Sequence, residues 1–179
     1  MAPRLPLAFA VACSAVVCSA AGPSDPAGSR MRALAAEVDA HGAMPVLRRV
    51  HADAEQWQRL IAALATGDHD AIDLANRLKL ATDGVSGNEL WTALFQALGR
   101  DPAYVLEHAQ PDFPLALLCL GRAMPLATYP AASRELAEVR QAVEAVGGDA
   151  LLFRRDLCLA TLRDGLSRVR RHFGVSASD

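Results

Sequence analysis

The stretch "DAEQWQRLIAALATG" (residues 53–67) contains the signals that start, carry and end a helix. Asp53 and Gln56 have capping-box spacing, in which a side chain at the helix start accepts a hydrogen bond from the backbone three residues on. The apolar residues that follow recur at helical spacing and predict one buried face: Trp57, Leu60, Ile61 and Leu64. Gly67 ends the predicted helix.

The same signals return in "SGNELWTALFQALGRDP" (residues 86–102). Ser86 and Glu89 repeat the capping-box spacing, and the pattern WxxLIxxL recurs as WxxLFxxL 34 residues later. Each copy ends at a glycine and is followed by a second helix, near residues 69–80 and 102–109, with an aspartate predicted as its N-cap: Asp68 and Asp101. Helix pairs at this period are typical of α-solenoid repeats of the HEAT and TPR kinds.

Acidic residues surround a histidine in "TGDHDAIDLA" (residues 66–75), which raises the alternative of a metal site. A metal site needs ligands that converge, whereas Asp68, His69 and Asp70 point in different directions around a helix start. Asp70 and Asp73 lie near the positive end of the helix dipole. The favoured interpretation is therefore a capped helix, with no metal and no cofactor.

The rest of the chain also predicts helices, because no stretch alternates apolar and polar residues as a strand would. Asp149 follows Gly147-Gly148 and is predicted to cap the last helix, over about residues 150–173. The predicted fold is all-α, with a helix-pair repeat packed on a C-terminal antiparallel helical hairpin. The predicted single domain spans residues 30–173, and residues 174–179 are expected to be a disordered tail.

A secretory signal peptide is predicted for residues 1–21, because one arginine precedes an uncharged run of apolar and small residues. This run is shorter and less apolar than a membrane-spanning helix. Residues 22–29 are expected to be a flexible linker. The predicted location is the periplasm or the outside of the cell. An outer-membrane lipoprotein anchored at Cys18 is the alternative, although the preceding valine fits the lipidation motif poorly.

Removal of a signal peptide leaves two cysteines, Cys119 and Cys158. In an oxidising compartment, two cysteines favour one disulfide bond. Two separate buried thiols are the alternative, since free cysteine is often buried.

Composition and motifs restrict the classes of function. A net charge of −2 offers no general attraction to nucleic acid, and no catalytic or phosphate-binding motif is present. The enzyme alternative needs a site assembled from distant residues, and its candidates are Glu107, His108 and Asp112. The last helix carries a basic cluster that forms either a solvated helix end or a docking patch for an acidic partner or an anionic membrane surface: Arg168, Arg170 and Arg171.

Residues 57–106 match the pattern "W..LI..LATGD…A..L…DG.S.NELW.ALFQAL.R.P..VL" and resemble a group of uncharacterised secreted proteins of Gram-negative bacteria. The resemblance implies shared architecture and brings no activity or site residues. The expected function is that of an exported helical-repeat protein that binds another protein in the cell envelope through a surface of its helix pairs. The alternatives are a hydrolase or metal-dependent enzyme, and a passive lipid-anchored envelope component.

Overall fold

The computed structural model describes residues 26–82, 84–108, 115–120 and 128–175. All regular structure in these ranges is helical, which confirms the prediction of an all-α chain. Nine α-helices lie in these ranges: α1 (Pro26–His41), α2 (Ala43–Ala52), α3 (Ala54–Ala65), α4 (His69–Leu78), α5 (Gly84–Leu98), α6 (Pro102–His108), α7 (Leu115–Cys119), α8 (Tyr129–Glu144) and α9 (Leu152–Phe173). A 3₁₀ turn follows α4 at Lys79–Ala81, and another precedes α9 at Asp149–Leu151.

The two ends of the described chain differ from the predicted boundaries. The predicted signal peptide and Cys18 lie outside the described residues. Helix α1 begins at Pro26, inside the predicted linker, and proline suits the first turn because the amide it lacks would have no helical partner there. At the other end, Gly174 adopts φ 67° and the Val175 amide donates to the Arg170 carbonyl at 2.9 Å, so the first tail residues close α9.

Three aspartates cap the helices that follow them. The Asp53 carboxylate accepts from the Gln56 amide at 3.0 Å, and Asp68 accepts from the Ala71 amide at 2.8 Å. Asp101 accepts from the amide of Tyr104 at 3.1 Å. These bonds satisfy amides at helix starts that have no partner within the helix.

Two of the predicted caps are wrong. Helix α5 begins at Gly84, so Ser86 lies inside its first turn, where only 2% of the residue is exposed. Thr82, shortly before this helix, lies close to Gly87, where an added Cβ would be 3.1 Å from the Thr82 hydroxyl. Asp149 caps no helix either, since it opens the exposed 3₁₀ turn that separates Gly148 from α9.

The C-terminal helices form the predicted antiparallel hairpin. Tyr129, at the start of α8, contacts Arg170 and Phe173 near the end of α9. At the other end of the hairpin, Arg155 donates to the carbonyl of Val146 at 3.3 Å. Helix α8 begins at Tyr129, and the sequence did not predict this start. Thr128 caps it, and a proline lies in the first turn.

The remaining helices pack around a common core. Helix α3 lies along α5, and α1 lies against α4, where Arg32 pairs with Asp70 and Arg77 with Asp39. Buried apolar residues from α1 to α9 form one contiguous cluster. The largest side chains that are almost fully buried are Val50, Leu60, Leu64, Ile72, Leu74, Leu78, Leu90, Phe95, Leu98, Leu106, Leu118 and Leu162.

A disulfide bond joins Cys119 of α7 to Cys158 of α9, as predicted. The two residues are 39 positions apart in the chain, and their Cα atoms are 5.3 Å apart. Neither cysteine has any exposed surface. The bond therefore fixes a short helix to the long C-terminal helix from within the core.

We expect removal of this bond to lower stability. Closing a loop of 39 residues in the unfolded chain accounts for about 4 kcal/mol in the chain-entropy view, so the Cys119→Ala/Cys158→Ala variant should lose roughly 2–4 kcal/mol. Urea unfolding of the oxidised protein, the reduced protein and the variant measures the loss. Equal unfolding midpoints for the oxidised and reduced wild type would contradict this expectation.

The close approach of α8 to the end of α5 makes a second prediction. An added Cβ at Gly99 would lie 3.2 Å from Val139 Cγ2 and 3.3 Å from the Gln96 carbonyl, and Val139 is buried with little freedom to move. Gly99→Ala should therefore lower the free energy of unfolding by about 1–3 kcal/mol.

The matched control for that change is Gly84→Ala, since an added Cβ there has open space around it. Alanine favours a helix over glycine by about 0.5–1 kcal/mol, so this variant should be equal to or more stable than the wild type. Thermal unfolding monitored by circular dichroism measures both. A Gly99→Ala variant as stable as Gly84→Ala would show that α8 does not press on this position.

Candidate functional site

A solvent-facing groove runs between α3 and α5 and continues onto α8. Its first section has a volume of about 470 Å³ and is lined by Gln58, Ile61, Asn88, Glu89, Thr92, Ala93 and Gln96. Its second section has a volume of about 540 Å³ and is lined by Ala65, Thr66, Gln96, Gly99, Arg100, Glu135, Glu138 and Val139. Because Gln96 lines both sections, we treat them as one α3–α5–α8 groove.

The periodicity of α5 places a row of polar side chains in this groove. Asn88, Thr92 and Gln96 follow one another at four-residue intervals and therefore share one face of the helix. Leu90, Leu94 and Leu98 lie on the opposite side and are buried in the core. The same amphipathic pattern that buries α5 thus provides the groove with amides and a hydroxyl.

A side-chain bond fixes the two walls of the first section. Trp57 of α3 is 3% exposed, and its indole nitrogen donates to the carboxylate of Glu89 on α5. The other tryptophan, Trp91, is partly buried and packs against the core. Both tryptophans therefore serve packing, and Glu89 is held at the groove wall.

Two carboxyl groups stand at the α8 end of the groove. Burial raises the pKa of Glu135 most, the hydrogen bond from the Gln96 side chain lowers it, and the charge of Glu138 raises it again. Glu138 lies one helical turn further along α8 and is exposed. This end of the groove therefore has negative charge that is only partly removed from water.

A stack of three rings joins α4 to α6 on another surface. The rings of His69 and Tyr104 stack with centroids 3.6 Å apart, and those of Tyr104 and His108 with centroids 3.9 Å apart. The His69 ring also meets the Asp101 carboxylate at 2.8 Å, and that hydrogen bond lowers the pKa of Asp101 against the effect of burial. The stack therefore ties the start of α4 to the start of α6.

The ring stack accounts for the acidic stretch that suggested a metal site. Asp68 caps α4, His69 turns to Asp101, and Asp70 pairs with Arg32 on α1. These three side chains thus point to three different partners. In the part of the chain that the structure describes, no three His, Cys, Asp or Glu side chains come together as metal ligands would.

The candidates for an enzyme site are dispersed. The His108 ring stacks on Tyr104, and its Nδ1 lies 3.0 Å from the Tyr104 carbonyl. Glu107 is exposed, and its backbone carbonyl accepts a hydrogen bond from Arg154 at 2.7 Å. Asp112 lies outside the described residues. His108 and the backbone of Glu107 therefore take part in contacts that hold the fold together. Among the described residues, no third candidate for an enzyme site lies beside them.

The basic cluster on α9 divides into two parts. Arg168 and Arg171 are exposed to solvent. Arg170 is partly buried, and its Nε donates to the hydroxyl of Tyr129 on α8 at 3.3 Å. Arg170 is thus a contact within the hairpin, and the solvated part of the cluster is smaller than the sequence suggested.

Sequence reasoning missed the groove, although part of its signal was present. The row Asn88, Thr92 and Gln96 is visible as polar residues at helical spacing, and Glu135 and Glu138 are a pair three residues apart. What the sequence did not show is that α8 brings its carboxyl groups to the end of α5. That proximity depends on the packing of helices distant in the chain.

Comparisons with known protein families, with curated proteins and with solved structures find no match to this chain. Among the described helices, none has the length and apolar character that crossing a bilayer requires.

The Tyr104 hydroxyl makes a prediction about alkaline pH. Burial, the hydrogen bond to Asp73 and neighbouring carboxylates raise its pKa to about 12, so the folded state favours the neutral hydroxyl. The stabilisation is complete below the ordinary tyrosine pKa of about 10 and is lost as the pH rises through about 12. Urea midpoints measured across this interval should fall less steeply for Tyr104→Phe than for the wild type.

The control for this prediction is Tyr129→Phe, which leaves Tyr104 in place. Tyr104 is then the only tyrosine, so the ultraviolet absorbance of tyrosinate in Tyr129→Phe should show one transition, near pH 12. A transition of Tyr129→Phe near about pH 10, the ordinary tyrosine value, would contradict the raised pKa of Tyr104.

Proposed function

We propose that this protein is an exported protein-binding module, and that an extended segment of its partner lies in the α3–α5–α8 groove. The row formed by Asn88, Thr92 and Gln96 carries this proposal. An amide side chain has both donors and an acceptor, so it can pair with the N–H and C=O groups of an extended backbone. Recognition of that kind holds the peptide main chain and leaves its side chains to set specificity.

The dimensions of the row agree with such an occupant. Asn88 and Gln96 are two turns apart on α5, which is about 12 Å along a helix. An extended chain covers that distance in about four residues. The apolar wall beside the row, which includes Ile61 and Ala93, offers contact for side chains that alternate toward it.

The arrangement of the helices supports a repeat architecture for this module. We take α3–α4 and α5–α6 as two helix-pair repeats, in which the first helices lie side by side. The turns within the pairs are adjacent too, because an added Cβ at Gly67 would lie 3.3 Å from Arg100 Cβ, and His69 meets Asp101. Stacking of equivalent helices is how solenoid repeats form extended binding surfaces.

Export is supported by three features of the chain. The first 21 residues have the pattern of a signal peptide, and the resemblance over residues 57–106 is to secreted proteins. The buried disulfide between Cys119 and Cys158 is of the kind that persists in an oxidising compartment. The mass of the mature N-terminus distinguishes a cleaved signal peptide from lipid attachment at Cys18.

A photo-crosslinking amino acid at position 96 tests the groove in the exported protein. We expect it to form one specific adduct with an envelope protein, because Gln96 lines both sections of the groove. The control position is Gln141, an exposed glutamine of α8 that does not line the groove. An identical adduct pattern at both positions, or no adduct at either, would contradict the proposal.

Binding of the purified partner then gives the quantitative test. Gln96→Arg places a long charged side chain in the groove and should weaken binding about tenfold or more, which corresponds to about 1.4 kcal/mol. Gln141→Arg adds the same charge elsewhere on the surface and should bind as the wild type does. Circular dichroism of both variants verifies the fold. Unchanged affinity of a folded Gln96→Arg variant would place the partner elsewhere.

A further inference from the structure

The negative charge at the α8 end of the groove restricts the kind of partner segment that can bind there. We propose that Glu135 and Glu138 form a subsite for one basic side chain, lysine or arginine, of the extended segment that the groove binds. This inference rests on the proposed function. It adds the chemistry of one position in the partner.

The two carboxyl groups have the placement that such a subsite needs. They are three residues apart on α8 and therefore face the same side of that helix. Val139, the residue after Glu138, packs against Gly99 and holds this part of α8 close to the end of α5. The section of groove that these residues line has a volume of about 540 Å³ and is open to solvent.

These carboxyl groups have no ion-pair partner among the described residues, which sets them apart from several other acidic side chains of the protein. Among the described residues, ion pairs with arginine hold several other acidic groups: Glu37 with Arg49, Asp39 with Arg77, Glu55 with Arg59, Asp70 with Arg32, and Glu144 with Arg140. None of the ion pairs within the described ranges includes Glu135 or Glu138.

The residues that line this section include one arginine, which makes no ion pair with Glu135 or Glu138 among the described residues. Arg100 also lines the second section, but its Cβ lies next to Gly67 in the turn between α3 and α4. The polar partner of Glu135 within the protein is the neutral amide of Gln96. A partly buried carboxyl group with only a neutral donor gains most from an incoming cation, because charge-assisted hydrogen bonds are roughly twice as strong as neutral ones.

A basic side chain fits this subsite better than a metal ion does. Divalent cations such as calcium take six or more oxygen ligands, and the side chains that line this section provide two carboxyl groups, one amide and one hydroxyl. A guanidinium or ammonium group needs only a few acceptors and brings its own chain into the groove. The two carboxyl groups at the end of the groove therefore match a cationic side chain attached to a peptide.

Selection from a displayed library of random peptides tests the subsite directly. The bait is the oxidised full-length mature protein, and we expect the selected peptides to share a lysine or arginine at one fixed position. A selected peptide should bind the Glu135→Gln/Glu138→Gln variant about tenfold more weakly than the wild type. Replacing the basic residue of the peptide by glutamine should cost the same factor, and the two changes together should cost no more than either alone.

Matched controls separate this inference from the proposed function. Glu144→Gln removes a carboxylate of α8 that pairs with Arg140 outside the groove, and should leave peptide affinity unchanged. Suppose that the selected peptides bind the wild type, bind Gln96→Arg more weakly and yet share no basic residue. That result would contradict the subsite but remain consistent with peptide binding in the groove. If no peptide distinguishes wild type from Gln96→Arg, both proposals fail.

Discussion

The packing of α3 along α5 is the contact on which the rest of the structure depends. Leu60 and Leu64 of α3 and Leu90 and Leu98 of α5 are almost completely buried in the common core. Burying each leucine contributes roughly 1.5–3 kcal/mol, whereas an exposed ion pair contributes about 0–1 kcal/mol. The burial of apolar side chains thus determines how the helices pack, and the ion pairs between α1 and α4 add only a small stabilisation. Because the leucines turn inward, the opposite side of α5 is left to line the groove.

The sequence predicts a helix boundary correctly where the capping residue and the packing of neighbouring segments favour the same position. Asp53, Asp68 and Asp101 precede helices that begin where their own side chains can bond the next amides. Ser86 fails as a cap because α5 begins two residues before it, at Gly84, where Thr82 of the preceding segment lies close to Gly87. Asp149 fails because a 3₁₀ turn intervenes before α9. In both cases a neighbouring segment decides the boundary, and capping-box spacing carries no information about that segment.

The groove shows the same limit at a larger scale. The alternation of buried and exposed residues on α5 follows from its sequence, so the polar row was accessible to prediction. Glu135 acquires its altered environment only when α8 meets α5, about forty residues earlier in the chain, through Val139 and Gly99. Arg170 illustrates the opposite error: it belongs to a basic run in the sequence, yet its side chain is directed to Tyr129 of the neighbouring helix. In each case the residue type determines which interactions the side chain can make. The packing of helices that are distant in the chain determines whether the side chain faces the groove or another helix.

The complete burial of Cys119 and Cys158 restricts the order in which the protein assembles. An oxidant must reach a thiol to form a mixed disulfide, and in the finished core neither sulfur is accessible. The bond therefore has to close while α7 and α9 are still partly open to solvent. After closure, the same helices keep reductants away from it. A polypeptide that completed its core with free thiols would have to reopen this region before a catalyst of oxidation could act on it.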